Sequence, residues 1–189
     1  MRKISIVILA ALILPVSCKT FKLGFKTFDI HGMIYDFSNR PVAHCEISLE
    51  KKYIISSDIN GRFTLPKVAA GTYTITGYKK GFEIYSSEVS IRGKGEIIYI
   101  RLPSQNQLLN LLDEALTAND LTAAEELAER SYQIDENNLE TLFYYAAVKF
   151  RQKDYSKALS FLEKARQLGS KDPYIDKFIT VLKEIRYAN

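Results

Sequence analysis

From Leu108 onward the chain repeats itself. Leu108 and Leu142, Asp120 and Asp154, Ala124 and Ala158, Ser131 and Ala165, and Ile134 and Leu168 all stand 34 positions apart. Within this stretch apolar residues recur at three- and four-residue spacing among many Ala, Leu, Glu and Lys, the pattern of amphipathic helices. A helical period of that length belongs to stacked helix pairs, each of which buries its apolar face only against its neighbours. Residues 108–189 are therefore confined to an α-helical hairpin array. Two copies are fewer than the three or so such a stack normally needs, so its ends must be covered. Pro173 at a helix start, then Ile175, Phe178, Ile179, Leu182 and Ile185 at helical spacing, predicts a capping helix. The preceding part of the chain is the candidate cover for the other end.

That preceding part, residues 28–102, has no helical period. Short β-branched and aromatic runs alternate with turn residues, which predicts an all-β sandwich or barrel. In Ala43–Glu50 the odd positions are apolar, so Ala43, Cys45, Ile47 and Leu49 face inward. Asn60-Gly61 between two strand-like runs predicts a hairpin. Gly71–Ile75 starts another strand, and Lys80-Gly81-Phe82 turns out of it. Two further runs, 83–91 and 96–102, are joined by Arg92-Gly93-Lys94-Gly95, read as a hairpin tip. Pro103–Gln107 is polar and reads as a linker. The fold class is thus two-domain, β then α.

Ahead of both domains stands a positive start, Met1-Arg2-Lys3, and an uncharged apolar run from Ile4 to Val16. A run of about 13 residues falls short of the roughly 20 needed to span a bilayer, and the order is that of a secretory signal. Leu14-Pro15-Val16-Ser17-Cys18 resembles the lipobox of bacterial lipoproteins, although Pro15 stands where leucine is usual. The resemblance implies removal of residues 1–17, diacylglycerol on the Cys18 thiol, and an envelope protein anchored to the inner or outer membrane, periplasmic or surface-exposed. Without Arg2 and Lys3 the chain has 24 basic and 22 acidic residues, a formal charge of +2, so nucleic acid is not an expected partner. With Cys18 acylated only Cys45 remains, which excludes an intramolecular disulfide scaffold. The tether, residues 18–27, carries Lys19, Lys22 and Lys26 interleaved with Phe21, Leu23 and Phe25. It fits an anionic lipid surface and a plain flexible spacer equally well.

Gly32, Ile34, Asp36 and Pro41, then Asp58, Asn60, Gly61 and Phe63, then Gly71, Tyr73, Gly81 and Phe82 resemble the carboxypeptidase regulatory-like domain over Ile30–Leu102. This implies a small antiparallel Greek-key β-sandwich of transthyretin type, an accessory module without catalytic residues. Asn39 replaces the usual glycine there. Arg151–Leu159, with Ala146, Ala158 and Ala165 at small-residue positions, resembles the tetratricopeptide repeat. The first copy is weaker, with Ser131 for a small residue and Glu136 for the usual proline. That resemblance implies a protein or peptide partner held on the first helices of each pair, at Asn106, Leu109, Asp113, Leu116, Glu140, Phe143, Ala147, Phe150 and Arg151. Phe143 and Phe150 fit packing against neighbouring helices at least as well.

No catalytic constellation stands out. His31 and His44, the only histidines, are turned away from the predicted core by strand alternation and lack further metal ligands at usable spacing. Asp113-Glu114 and Glu125-Glu126 are adjacent helix residues that point apart. Arg92–Gly95 lies between strands and not before a helix, unlike a phosphate-binding loop. The expectation is a lipoprotein adaptor or scaffold, not an enzyme, with no cofactor and no metal. The alternatives are a carbohydrate- or peptidoglycan-binding lipoprotein using Tyr35, Tyr78, Tyr85 and Tyr99, and an accessory subunit of a separately encoded envelope enzyme.

Overall fold

The computed structural model describes residues 26–188, with side chains through Ile185. The signal segment, Cys18 and most of the tether lie outside the described residues. The fold is a two-sheet β-sandwich followed by five helices in a tetratricopeptide-like array. The strands are β1 (Thr27–Tyr35), β2 (Glu46–Leu49), β3 (Tyr53–Ser56), β4 (Arg62–Ala69), β5 (Gly71–Tyr78), β6 (Tyr85–Ile91) and β7 (Ile97–Arg101). One sheet has the order β4-β1-β7 and the other β3-β2-β5-β6. Every pairing is antiparallel except β1 with β7, which run parallel.

Alternation places the core. Ile30 and Ile34 of β1, Cys45, Ile47 and Leu49, Leu65 of β4, Ile75 of β5 and Ile100 of β7 are fully buried between the sheets. Gly32 is required on β1 because the Phe63 ring lies where its side chain would stand, 2.1 Å from an added Cβ. The buried Ser57 hydroxyl donates to the Val42 carbonyl at 2.8 Å and accepts from the Cys45 N–H at 3.0 Å. It thereby ties the chain ahead of β2 to the chain leaving β3.

Two turns read as hairpins are crossovers between sheets. Asp58–Arg62 forms the tight turn, with Gly61 at φ +72 and the Asp58 carboxylate accepting from the Asn60 and Arg62 N–H groups at 2.8 Å. Its flanking strands, β3 and β4, nevertheless join different sheets. Arg92–Gly95 likewise carries the chain from β6 in one sheet to β7 in the other. The true hairpin between β2 and β3 turns at Glu50-Lys51, both at positive φ, closed by the Lys52 N–H on the Leu49 carbonyl at 3.0 Å. No glycine or asparagine marks it. The Glu50 carboxylate accepts from the Thr74 N–H at 2.6 Å, tying this turn to β5.

The helices are α1 (Gln105–Thr117), α2 (Leu121–Ile134), α3 (Leu139–Arg151), α4 (Tyr155–Gln167) and α5 (Pro173–Ala188). The 34-residue register governs caps as well as core. Ser104 and Asn138 cap α1 and α3, and Asp120 and Asp154 cap α2 and α4. Leu108/Leu142, Leu112/Ala146, Ala124/Ala158 and Ser131/Ala165 are fully buried pairs. Ser131 fits in the first copy because its hydroxyl meets Thr141 Oγ1 at 2.9 Å, while Gln105 Nε2 donates to the Ser131 carbonyl and to Thr141 Oγ1, both at 3.1 Å. Glu136, in the usual proline position, pairs with Lys164 at 3.6 Å.

Both ends of the array are covered. Ile175, Ile179 and Leu182 of α5 pack into the α3–α4 core. The α5 positions 34 residues after Leu142, Ala146 and Phe150 are Asp176, Thr180 and Glu184, all exposed, so the face that a further helix would cover is polar. At the other end the sandwich and the array share main-chain hydrogen bonds. The Gln105 N–H donates to the Gly81 carbonyl at 2.9 Å and the Glu83 N–H to the Pro103 carbonyl at 3.0 Å. Arg130 of α2 grips Glu83 with two hydrogen bonds at 2.8 and 2.9 Å, and Gln107 donates to Ser38 at 2.9 Å. Of the stretch read as a linker, Pro103 is buried and Gln105–Gln107 belongs to α1.

Candidate protein-binding site

The first helices of the pairs, α1 and α3, share one face, and the positions read for partner binding divide there into two groups. Asn106, Asp113, Glu140 and Arg151 are exposed. Leu109 and Leu116 are buried in the cluster that joins α1, α2 and α3, where Ala147 also packs, so these side chains serve the fold. Phe143 and Phe150 are half-buried against α5, with Phe178 edge-on to both at ring distances of 6.4 and 5.2 Å. The packing reading of this aromatic pair is what the geometry shows. The helix that covers them is the capping helix that Pro173 and Phe178 predict.

Two cross-helix contacts hold the exposed part in place. The Tyr144 hydroxyl donates to Asp113 at 3.2 Å, and Arg151 donates to the Asn119 side chain at 3.3 Å. Burial and the neighbouring Asp113 carboxylate push the Tyr144 hydroxyl above its usual range, so it stays a donor at neutral pH. Tyr144 has no signature in the repeat pattern, which marks the adjoining Phe143 as the candidate for either partner binding or packing.

The register also runs on into α5. Tyr174, Phe178 and Val181 stand 34 positions after Glu140, Tyr144 and Ala147, and Tyr174 and Val181 are exposed. Reading α5 only as a cap hid this continuation, although the period itself pointed to it. The face therefore presents alternating polar and apolar groups across three helices.

The interior between α2, α3 and α4 is closed by its own contacts. Tyr145 stacks on Phe161 at 4.3 Å, and Tyr132 stands edge-on to both rings. Buried Lys149 pairs with Glu125, and Gln152 donates to that carboxylate at 2.6 Å. Bonded first by Lys149 and then by Gln152, the Glu125 carboxyl is held below its usual range.

The sandwich tyrosines do not assemble. Tyr78 and Tyr99 are exposed, but on β5 and β7, strands of different sheets. Tyr85 packs on the sandwich core, and half-buried Tyr35 turns its hydroxyl to Met33 Sδ at 3.5 Å. His31 and His44 are both exposed, and His31 Nδ1 lies 3.0 Å from Thr64 Oγ1. Among the described residues no group of three or more His, Cys, Asp or Glu could hold a metal ion. Cys45 is fully buried, and burial pushes its thiol up to about 11 against the opposing pull of Lys79.

A sandwich docked end-on to a tetratricopeptide-like array defines the class. Comparison with known proteins agrees in both halves. Residues 35–98 match a family model described as polysaccharide lyase family 4, domain II, and residues 117–175 match one described as anaphase-promoting complex, cyclosome, subunit 3. No curated protein matches the chain. Among solved structures, a type II cohesin–X-dockerin complex from Acetivibrio cellulolyticus is 20% identical over 43% of this chain and 60% of that one, with a TM-score of 0.37. A putative carbohydrate binding protein from Bacteroides uniformis is 14% identical over 40% of this chain and 41% of its own, with a TM-score of 0.34. This chain thus spans about 60% or less of the length of these structures.

Proposed function

We propose that the chain is an envelope lipoprotein, anchored through Cys18, whose sandwich carries a tetratricopeptide-like unit that docks a protein partner on the α1/α3/α5 face. The observation behind this is the continuity of that face. One register sets Asp113, Glu140, Tyr144, Arg151, Tyr174 and Val181 across three helices, while the aromatic and ionic contacts among α2, α3 and α4 are turned to the interior. The shared hydrogen bonds at the junction support a single body that holds the face in a fixed direction from the anchor. On this reading the chain performs no catalytic step and acts as an adaptor or scaffold, which also suits service to a separately encoded envelope enzyme.

The anchor rests on the order of charges, apolar residues and cysteine in residues 1–18. With about 0.8 kcal/mol per buried methylene, two or more acyl chains hold a protein at a bilayer essentially permanently. Intact mass of the membrane-extracted protein is expected to show diacylglycerol on an N-terminal Cys18; an unmodified start at Lys19 or Phe21 refutes the anchor. For the face, a photo-crosslinking residue at Tyr174 or Glu140 is expected to give a discrete adduct in cells, with none from Ser156 on α4. Equal adducts from all three positions would remove the assignment.

A further inference from the structure

One cleft of about 670 Å³ lies at the end of the sandwich where the tether enters. It forms where the start of β1, the end of β4 and the β6–β7 crossover meet, and Lys26, Asp29, Lys67, Arg92 and Lys94 line it. All four cations are exposed, and none forms an ion pair among the described residues. The acids nearby are turned to the main chain. Asp29 Oδ1 accepts from the Lys67 N–H at 3.0 Å, and Glu96 Oε1 accepts from the Arg92 N–H at 3.1 Å.

Lys67 reaches this cleft by an irregularity. The β1–β4 register shifts between Phe28 and Ile30, and opposite that shift Lys67 stands at φ +52. A bulge of this kind re-aims a side chain at the cost of a backbone conformation that a lysine rarely adopts. The sequence adds to the same charge, since residues 1–25 contain no acid and supply Lys19 and Lys22. From Cys18 to Lys26 is eight residues, a reach of about 27 Å when fully extended, so an anchored sandwich can bring this end onto the bilayer.

We infer that this cleft is a docking rim for anionic phospholipid headgroups, with Lys26, Lys67, Arg92 and Lys94 as its cations. The inference rests on the lipid anchor and adds to it an orientation: the sandwich lies with its β1-entry end on the membrane, beyond whatever the tether itself does. Each such cation attracts an anionic surface and salt screens the attraction, so four together bias the orientation of a tethered domain.

The test uses the full lipidated protein in vesicles of phosphatidylcholine, with and without roughly one third phosphatidylglycerol, probed by an amine-reactive reagent and mass spectrometry. Labelling of Lys67 and Lys94 is expected to fall about threefold or more in the anionic vesicles and to recover in high salt, with Lys153 and Lys171 unchanged. Equal labelling in both vesicle types overturns the rim. Protection in neutral vesicles on adding inorganic phosphate also overturns it, since that describes a soluble-anion site. An Arg92→Glu/Lys94→Glu variant separates rim from tether, because both side chains are exposed and lie outside the sandwich core. Its Lys67 is expected to lose protection, and retained protection means that the tether alone holds the domain down. A preparation that carries no lipid refutes the anchor separately. Its rim is then read by flotation, with binding to anionic but not neutral vesicles expected and binding to neither overturning the rim.

Discussion

The two halves of the molecule specify themselves differently. In the array each helix is positioned by near-copies of itself, so one offset fixes caps, core and neighbours together. In the sandwich only β2–β3 and β5–β6 pair as local hairpins, the other pairings join strands distant in the chain, and four of the connections cross between sheets. Local turn chemistry there is plain, as at Asp58–Arg62, yet it does not say which strand the turn delivers the chain to. Repetition carries its own topology; a sheet holds its topology in contacts distributed over the whole domain.

If that contrast is correct, the array should respond to lost apolar volume and the sandwich to single backbone points. The largest effect is expected from Leu142→Ala, which empties a fully buried position between α3 and α4 and should cost about 3–4 kcal/mol in denaturant titration. Gly32→Ala comes next. With the Phe63 ring in the way, it should cost about 2–3 kcal/mol and lower the sandwich transition, whereas a neutral result would mean that β1 shifts freely.

Asp36→Asn should cost about 2 kcal/mol at neutral pH, because the Asp36 carboxylate accepts from the Ser38 and Arg40 N–H groups and from the Arg40 guanidinium. Burial opposes ionisation there, but these hydrogen bonds outweigh it and hold the carboxyl below the usual aspartate range. A depressed carboxyl contributes stability above its unfolded value and loses it as pH falls through the folded one. The gap between wild type and variant should therefore close in acid below about pH 4, as urea midpoints measured across pH will show. The smallest effects are expected at the caps: Asp120→Ala should cost about 1 kcal/mol, and Asp154→Ala, at the same place in the next copy, should destabilise in the same direction while also losing its 3.3 Å pair with Lys157. Cys45 offers a check without mutation. Its buried, protonated thiol should resist alkylation at neutral pH until the sandwich unfolds.

Much of this was legible beforehand, for physical reasons that differ by region. The inward face of Ala43–Glu50 could be read because a half-buried strand alternates, and Cys45, Ile47 and Leu49 are indeed buried. The Glu50-Lys51 turn could not, because its positive φ values fall on residues that favour other conformations and are held there by Thr74 of β5. The repeat register placed Asp113, Glu140 and Arg151 on an exposed face. It could not show that Leu109 and Leu116 would sink into the core, because that depends on how closely the helices approach, whereas packing of Phe143 and Phe150 on a neighbouring helix was one of the two readings the sequence supported. Tyr174 and Val181 were accessible to the same 34-residue offset and were hidden only by treating α5 as a lid.

The two surfaces that compete for a functional role can be compared in one experiment. Tyr174 on the array and Tyr99 on the sandwich are 71% and 63% exposed, so free of partners they should be oxidised to a similar degree by hydroxyl radicals. Footprinting the purified full chain and the same chain in the cells that produce it should show Tyr174 protected several-fold in the cells with Tyr99 unchanged. Protection of Tyr99 with Tyr174 left open would contradict the docking face and move the binding function to the sandwich.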